Sequence, residues 1–183
     1  MTVSLTFSNA SRLRPLAGRS VLLALLASTI GGAPLAIAQV PGPVGDTVTW
    51  TLSGPGPAPV KRGAKVSLSL QGAVRDTWHV YGLKQLPTGP TPLRLAVEDG
   101  AVAVSAGAPT ASPPVKLHDP SFGLETQFYE HALTVAVPIK IAANAAPGPQ
   151  QVPLTVRYQT CDGKICQPPK TVRLTATVNV QAG

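Results

Sequence analysis

Tyr158-Gln159-Thr160-Cys161-Asp162-Gly163-Lys164-Ile165-Cys166-Gln167-Pro168-Pro169 decides how this chain is read. It holds both cysteines of the protein, with four residues between them. Before it, Leu154, Val156 and Tyr158 alternate with more polar neighbours; after it, Val172, Leu174, Ala176, Val178 and Val180 do the same. A period of two is the mark of a half-buried strand. Asp162-Gly163 is a tight-turn signal, because glycine takes positive φ without steric cost. The expectation is two strands meeting at that turn with a thiol on each side, a geometry that allows a disulfide. From the residues alone three uses of the pair stay open. A staple closing so short a loop would contribute about 2 kcal/mol on loop-entropy grounds. Two thiols are too few to close a tetrahedral metal shell by themselves. A small ring can also open and close by thiol–disulfide exchange.

Upstream, short alternating runs recur between Gly/Pro-rich connections. Thr47–Leu52 reads as a first strand, Val66, Leu68 and Leu70 as a second ending at Gly72, and Asp76–Leu83 as a third. Leu93, Leu95 and Val97 form a fourth, and Asp99-Gly100 turns the chain into Val102 and Val104. A proline-rich loop covers Pro109 to Pro114, and Val115–Tyr129 shows no clear period and reads as an extended segment with a functional loop at Phe122-Gly123. Leu133, Val135, Val137, Ile139 and Ile141 make a long strand through Pro138, and Asn144–Gln150 is a turn region. No stretch has amphipathic helical spacing. Short strands at steady intervals predict an all-β, antiparallel β-sandwich of immunoglobulin-like type, without the usual Cys…Trp…Cys core signature. Most of the 20 prolines must then lie in loops or at sheet edges.

The N-terminus reads as an export signal. Arg12, Arg14 and Arg19 precede an apolar run opening at Val21, and Ala36-Ile37-Ala38 ends it with small residues in an A-x-A arrangement. Cleavage after Ala38 is expected, giving a signal peptide over 1–38, a flexible Pro/Gly leader over 39–45 and one domain over 46–183. The alternative, a membrane anchor, is disfavoured by Gly31, Gly32 and Pro34. Loss of the three arginines lowers the formal charge from +7 to +4. So mild a charge, with no basic-aromatic cluster, is no case for nucleic acid. Export places the cysteines in a periplasmic, oxidising setting.

Few other residues carry chemistry. His79 and Tyr81 fall on one face of the third strand, Trp78 and Val80 on the other. Trp78 reads as core. His79 and Tyr81 either line a site or face solvent, and His118 and His131 read as surface residues. The single methionine, Met1, belongs to the signal, which leaves a copper site only if His79 or His118 approaches the cysteines. No Ser/His/Asp spacing, paired carboxylate or phosphate loop supports a hydrolase. Lys164 inside the ring would favour a thiolate and Asp162 would disfavour it. Phe122, with Gly123 beside it, is either a lid over the pair or an ordinary core residue.

Trp78-His79-Val80-Tyr81, Asp119-Pro120-Ser121-Phe122-Gly123, Phe128-Tyr129 and the YQ-x-C-x4-C-x-PP segment occur in an order that resembles the N-terminal periplasmic domain of the thiol:disulfide interchange protein DsbD family. The likeness runs over roughly Asp46 to Val180. It implies an immunoglobulin-like domain that relays reducing equivalents and needs no cofactor or metal. Cys166 would be the attacking thiol and Cys161 the resolving thiol. Phe122 would be the cap residue, Tyr81 and His79 would line the site, and any carboxylate role would fall to Asp119. Implied partners are thioredoxin-like periplasmic proteins or disulfide isomerases. Some members of the family have five residues between the cysteines and acidic residues just before the cap phenylalanine; here there are four, and Pro120 and Ser121 stand in those places. The sequence to Gly183 contains no later long apolar run and no C-x-x-C, so a separate membrane reductant is expected. The competing readings are a non-catalytic β-sandwich binding module with a structural disulfide, and a copper-handling periplasmic protein.

Overall fold

In the computed structural model the residues described are 46–98 and 102–182. The expected signal peptide and leader lie outside them. The strands run in chain order as β1 (Val48–Ser53), β2 (Lys65–Val74), β3 (His79–Tyr81), β4 (Arg94–Val97), β5 (Ala103–Ser105), β6 (Thr110–Ala111), β7 (Val115–Asp119), β8 (Leu124–Glu130), β9 (Ala132–Ile141), β10 (Gly148–Tyr158), β11 (Thr160–Cys161) and β12 (Lys170–Val180). Among the described residues there is no helix, and every ladder between these strands is antiparallel. The fold is an antiparallel immunoglobulin-like β-sandwich. One sheet has the order β1-β2-β9-β5, with β6 also on β9; the facing sheet is β12-β10-β4.

Alternation along the long strands builds the core. Leu68 and Leu70 of β2 and Val135, Val137, Ile139 and Ile141 of β9 meet Val152, Leu154 and Val156 of β10 and Ala176, Val178 and Val180 of β12 in one buried cluster. Trp78 and Val80 point into it as well. Apolar area removed from water is the main favourable contribution, at about 25 cal/mol per Å².

Three prolines lie in long strands; Pro149 stands at the start of β10, and the sheet accommodates the two interior ones, Pro138 and Pro153, in the same way. The carbonyl of Pro138 accepts from Ala106 N at 2.9 Å, and that of Pro153 from Glu98 N at 3.2 Å. In a strand the nitrogen of a residue faces the same side as its carbonyl. Each missing N–H is therefore opposite the first residue past the end of β5 or β4, where no further ladder bond is required.

A third sheet carries the site, in the order β11-β3-β8-β7. It corrects several expectations. The third strand is three residues long rather than eight, because Asp76 and Thr77 form a turn in which Thr77 takes φ +70° and Trp78 N bonds back to Arg75 O at 3.0 Å. Val115–Tyr129 is a β-hairpin, β7 and β8, folded about Pro120–Gly123. Its period was hidden because β7 is an edge strand exposed from Val115 to His118, with no buried face to impose alternation. The proline-rich loop contributes β6 to β9. Asp99-Gly100 lies outside the described residues; the strands on either side belong to different sheets, β4 on β10 and β5 on β9.

The largest correction concerns the cysteines. β10 and β12 do pair in full register, but their ladder closes at Tyr158↔Lys170. Asp162-Gly163 is not the turn joining them. Residues 159–169 leave this sheet, and β11 pairs with β3 in the third sheet, Cys161 opposite His79. A buried hydrogen bond of 2.9 Å between Thr47 Oγ1 and Thr160 Oγ1 ties β11 to the start of β1. Leu70 is fully buried where the two large sheets face each other. Leu70→Ala should lower stability by about 2–5 kcal/mol. Urea unfolding should show a lower midpoint at unchanged slope.

Candidate functional site

Cys161 and Cys166 form a disulfide with Cα atoms 4.0 Å apart. The ring is a miniature hairpin shaped by Asp162. Its Oδ1 accepts from Ile165 N at 2.7 Å and Lys164 N at 2.9 Å, while Asp162 N bonds Ile165 O at 3.2 Å. Gly163 supplies the positive φ of +82° that the turn needs. Gln167 N donates to Thr160 O at 2.9 Å and closes the base. The backbone N–H groups of Ile165 and Lys164 hold the Asp162 carboxyl below the usual carboxylate range. Its charge is thus engaged in the turn, and Lys164 is exposed beyond it.

The two sulfurs differ in access. Cys161 is fully buried, in a small cluster with Tyr81 and Phe128; Phe122 and Cys166 pack against that cluster and are only partly buried. Ser121 Oγ stands 3.6 Å from Cys161 Sγ, and Tyr81 Oη 3.9 Å from Cys166 Sγ. Phe122 meets the Tyr81 ring edge-on, centroids 5.8 Å apart. Its loop hangs from Asp119, which is buried at the end of β7. Asp119 Oδ2 accepts the Tyr81 hydroxyl at 2.7 Å, and Oδ1 accepts Ser121 N at 2.8 Å. The carbonyl of Asp119 accepts Gly123 N at 2.8 Å and Phe122 N at 3.3 Å. One residue thus anchors the loop and orients the tyrosine. Gly123, at φ +66°, lets the chain turn back into β8.

His79 is half-buried beside Tyr81 and Phe128, with centroids 5.1 Å and 4.6 Å away. Burial lowers its pKa from the ordinary histidine value, against the pull of Asp119, Glu130 and Asp162. His118 and His131 are exposed, the latter 3.8 Å from Asp76. Among the described residues, no group of three or more His, Cys, Asp or Glu is arranged to hold a metal ion.

A family model described as "Thiol:disulfide interchange protein DsbD, N-terminal" matches residues 56–177, which includes the cysteine ring, β3 and the Asp119–Gly123 loop. The chain belongs to the DsbD N-terminal family. Among solved structures, it is similar to the DsbD N-terminal domain of Neisseria meningitidis in its reduced form, at 22% identity and TM-score 0.45, covering 64% of this chain and 82% of that one. It is also similar to the N-terminal periplasmic domain of ScsB from Proteus mirabilis, at 14% identity and TM-score 0.43, covering 73% of this chain and 45% of that one. No curated protein matches it. As a member of this family the chain is a thiol–disulfide interchange module with a cysteine pair.

Sequence reasoning about this DsbD N-terminal family member named Cys161, Cys166, Phe122, Tyr81, His79 and Asp119, and the fold brings all six to one end of the third sheet. It did not assign Ser121 or Phe128 to the site. Phe128 faces Tyr81 in the β3–β8 register. Recognising the hairpin about Pro120–Gly123 would have placed it there.

Tyr81 is pushed far above the ordinary phenol pKa, first by burial and then by its bond to Asp119 and that carboxylate's charge. Tyr129 and Tyr158, the remaining tyrosines, are raised by burial. Stability linked to these raised values is fully present below the unfolded phenol pKa of about 10 and is lost as pH climbs toward the folded values. Titration followed by phenolate absorbance should therefore stay flat through about pH 10, then rise together with unfolding seen by circular dichroism. A phenolate signal near pH 10 with the fold intact would contradict this burial.

Proposed function

We propose that this protein is a periplasmic thiol–disulfide exchange module that passes reducing equivalents through Cys161 and Cys166 to or from thioredoxin-like proteins or disulfide isomerases. The unequal access of the two sulfurs is the observation that carries this reading. Cys166 is partly exposed and Cys161 is fully buried. An incoming disulfide can reach only the first without rearrangement, and exchange requires attack on an accessible sulfur. In the reductive direction the Cys166 thiolate attacks one sulfur of the partner's disulfide, forming a mixed disulfide and releasing the other partner sulfur as a thiolate. Cys161 then attacks Cys166 Sγ, the Cys161–Cys166 bond forms, and the partner leaves as a dithiol. Two electrons pass to the partner, and the module must be re-reduced by a separate reductant.

Phe122 acts in this reading as the cap. It packs on the cluster holding the disulfide, from a loop whose backbone hydrogen bonds run to Asp119 and whose Ser121 hydroxyl stands 3.6 Å from Cys161 Sγ. The Tyr81 proton is directed at Asp119, so its oxygen presents lone pairs to Cys166. An electron-rich neighbour disfavours a thiolate. The reduced pair is thus held unreactive until a partner displaces the cap and changes that surrounding. Localisation to the periplasm rests on the export signal expected over 1–38.

Equilibration of the pair with glutathione or dithiothreitol buffers, read by thiol alkylation, tests the exchange role. A potential between roughly −120 and −270 mV is expected, as for exchange proteins, and Cys161→Ser should then trap partners as mixed disulfides on Cys166. A potential below about −300 mV would mark a structural bridge instead and end this reading. Phe122→Ala should raise the alkylation rate of the reduced protein several-fold; an unchanged rate would remove the cap role.

A further inference from the structure

His79 lies directly across from Cys161 in the β3–β11 register. It lies across from Glu130 in the β3–β8 register. Directly paired residues of antiparallel strands project on the same face, with Cβ atoms about 4.5–5.5 Å apart. The β-carbon of His79 is therefore flanked on one face of the sheet by those of the buried cysteine and of Glu130. Its ring is held edge-on to Tyr81 and tilted on Phe128. Its Nε2 is buried and meets no hydrogen-bond partner among the described residues. A buried polar atom without a partner costs about 1–3 kcal/mol, so its retention calls for an explanation.

Resolution of a mixed disulfide poses a matching chemical need. Cys161 is fully enclosed, where a thiol is reluctant to ionise. Yet it must lose a proton before it can attack Cys166. We propose that His79 is the proton acceptor for Cys161 in the resolving step, an assignment that rests on the exchange reading above. The Cys161 thiol gives its proton to the neutral imidazole, the thiolate attacks Cys166 Sγ, and the Cys161–Cys166 bond forms as the Cys166–partner bond breaks. The partner departs with the electron pair as a thiolate, and the imidazolium returns its proton to that thiolate or to water.

The surroundings suit a group that is neutral at rest and briefly charged. The charged and titratable groups around His79 are His118 and Asp119 from β7, Glu130 from β8, Tyr81 on its own strand, and Asp162 from the turn after β11. Burial keeps the imidazole unprotonated at neutral pH, as an acceptor must be. The three carboxylates stabilise the imidazolium once it forms. A cleft of about 220 Å³, lined by His79, His118, Asp119, Glu130 and Asp162 among others, lies alongside and offers the proton a way out.

Reaction of the fully reduced protein with one equivalent of 5,5′-dithiobis(2-nitrobenzoate) separates the steps. The first thionitrobenzoate is released when Cys166 attacks the reagent, the second when Cys161 resolves the mixed disulfide. His79→Phe keeps the aromatic packing and His79→Gln keeps a polar side chain, but neither accepts a proton near neutrality. Both should leave the first phase unchanged and slow the second by about tenfold or more at pH 7. The deficit should shrink as pH passes the ordinary thiol pKa of about 8.5, where Cys161 ionises more readily without help. In the wild type the second phase should slow as acid protonates His79, below the ordinary imidazole value, and that inflection should vanish in both variants.

Equal second-phase rates in wild type and variants would overturn the proposal, as would equal slowing of both phases, which marks a structural role. A wild type that releases no thionitrobenzoate would overturn the exchange reading itself, and this assignment with it. The wild-type pH profile stands without any substitution, so a variant that fails to fold leaves the test intact.

Discussion

The ladder between β10 and β12 closes at Tyr158 and Lys170, and the form of the site follows from that closure. The chain leaves one strand at residue 158 and must re-enter the next at residue 170, a single strand spacing away. Everything between is a closed excursion with fixed ends. It can stand free in solvent or add to another sheet. Here it adds to the third sheet through β11, held there by pairing with β3 and by the Thr47–Thr160 bond. The disulfide is thereby carried from the end of the sandwich's hairpin to a surface already furnished by β3, β7 and β8. Thr160 and Cys161 alternate, as strand residues must, so one reaches the body of the domain and the other the site.

A second constraint is electrostatic. Asp119 is buried and makes use of both carboxylate oxygens and its carbonyl, binding Tyr81 on one side and the Ser121–Gly123 backbone on the other. A carboxylate in so enclosed a place persists because donors surround it. The same residue thus bonds both the tyrosine and the Pro120–Gly123 turn. His79 lies across from the buried cysteine in the β3–β11 register. The two sulfurs meet different hydroxyls: Tyr81 Oη stands by Cys166 and Ser121 Oγ by Cys161.

Much of the fold is legible in the residues wherever one face of a strand is buried. β1, β2, β9, β10 and β12 announce themselves by strict alternation, because each lies over the core and must sort its side chains. β7 has no such obligation at the sheet edge, and its hairpin with β8 left no periodic trace. β3 looked longer than it is because Trp78 is buried just outside the strand, so burial continued where pairing did not. The site residues were legible mainly through resemblance of short motifs to a known family. Ser121 and Phe128 lacked any such signal, as their roles depend on which strands become neighbours.

By itself the sequence determined the strand-forming runs, the all-β class, the proximity of the two cysteines in a short turn-bearing loop and, through its motifs, the family. These are local matters, set by side-chain period and by glycine and proline geometry. Only the tertiary structure decided that the cysteine loop joins a third sheet rather than capping a simple hairpin. It alone made one sulfur buried and the other reachable, and brought His79 and Asp119 to the same end of the third sheet as the pair. Those outcomes depend on pairing between segments some 40 to 110 residues apart in the chain, such as Tyr81 with Asp119 and Thr47 with Thr160. Residues so distant meet only when the sheets assemble around a shared core, and no local pattern encodes which edges will meet.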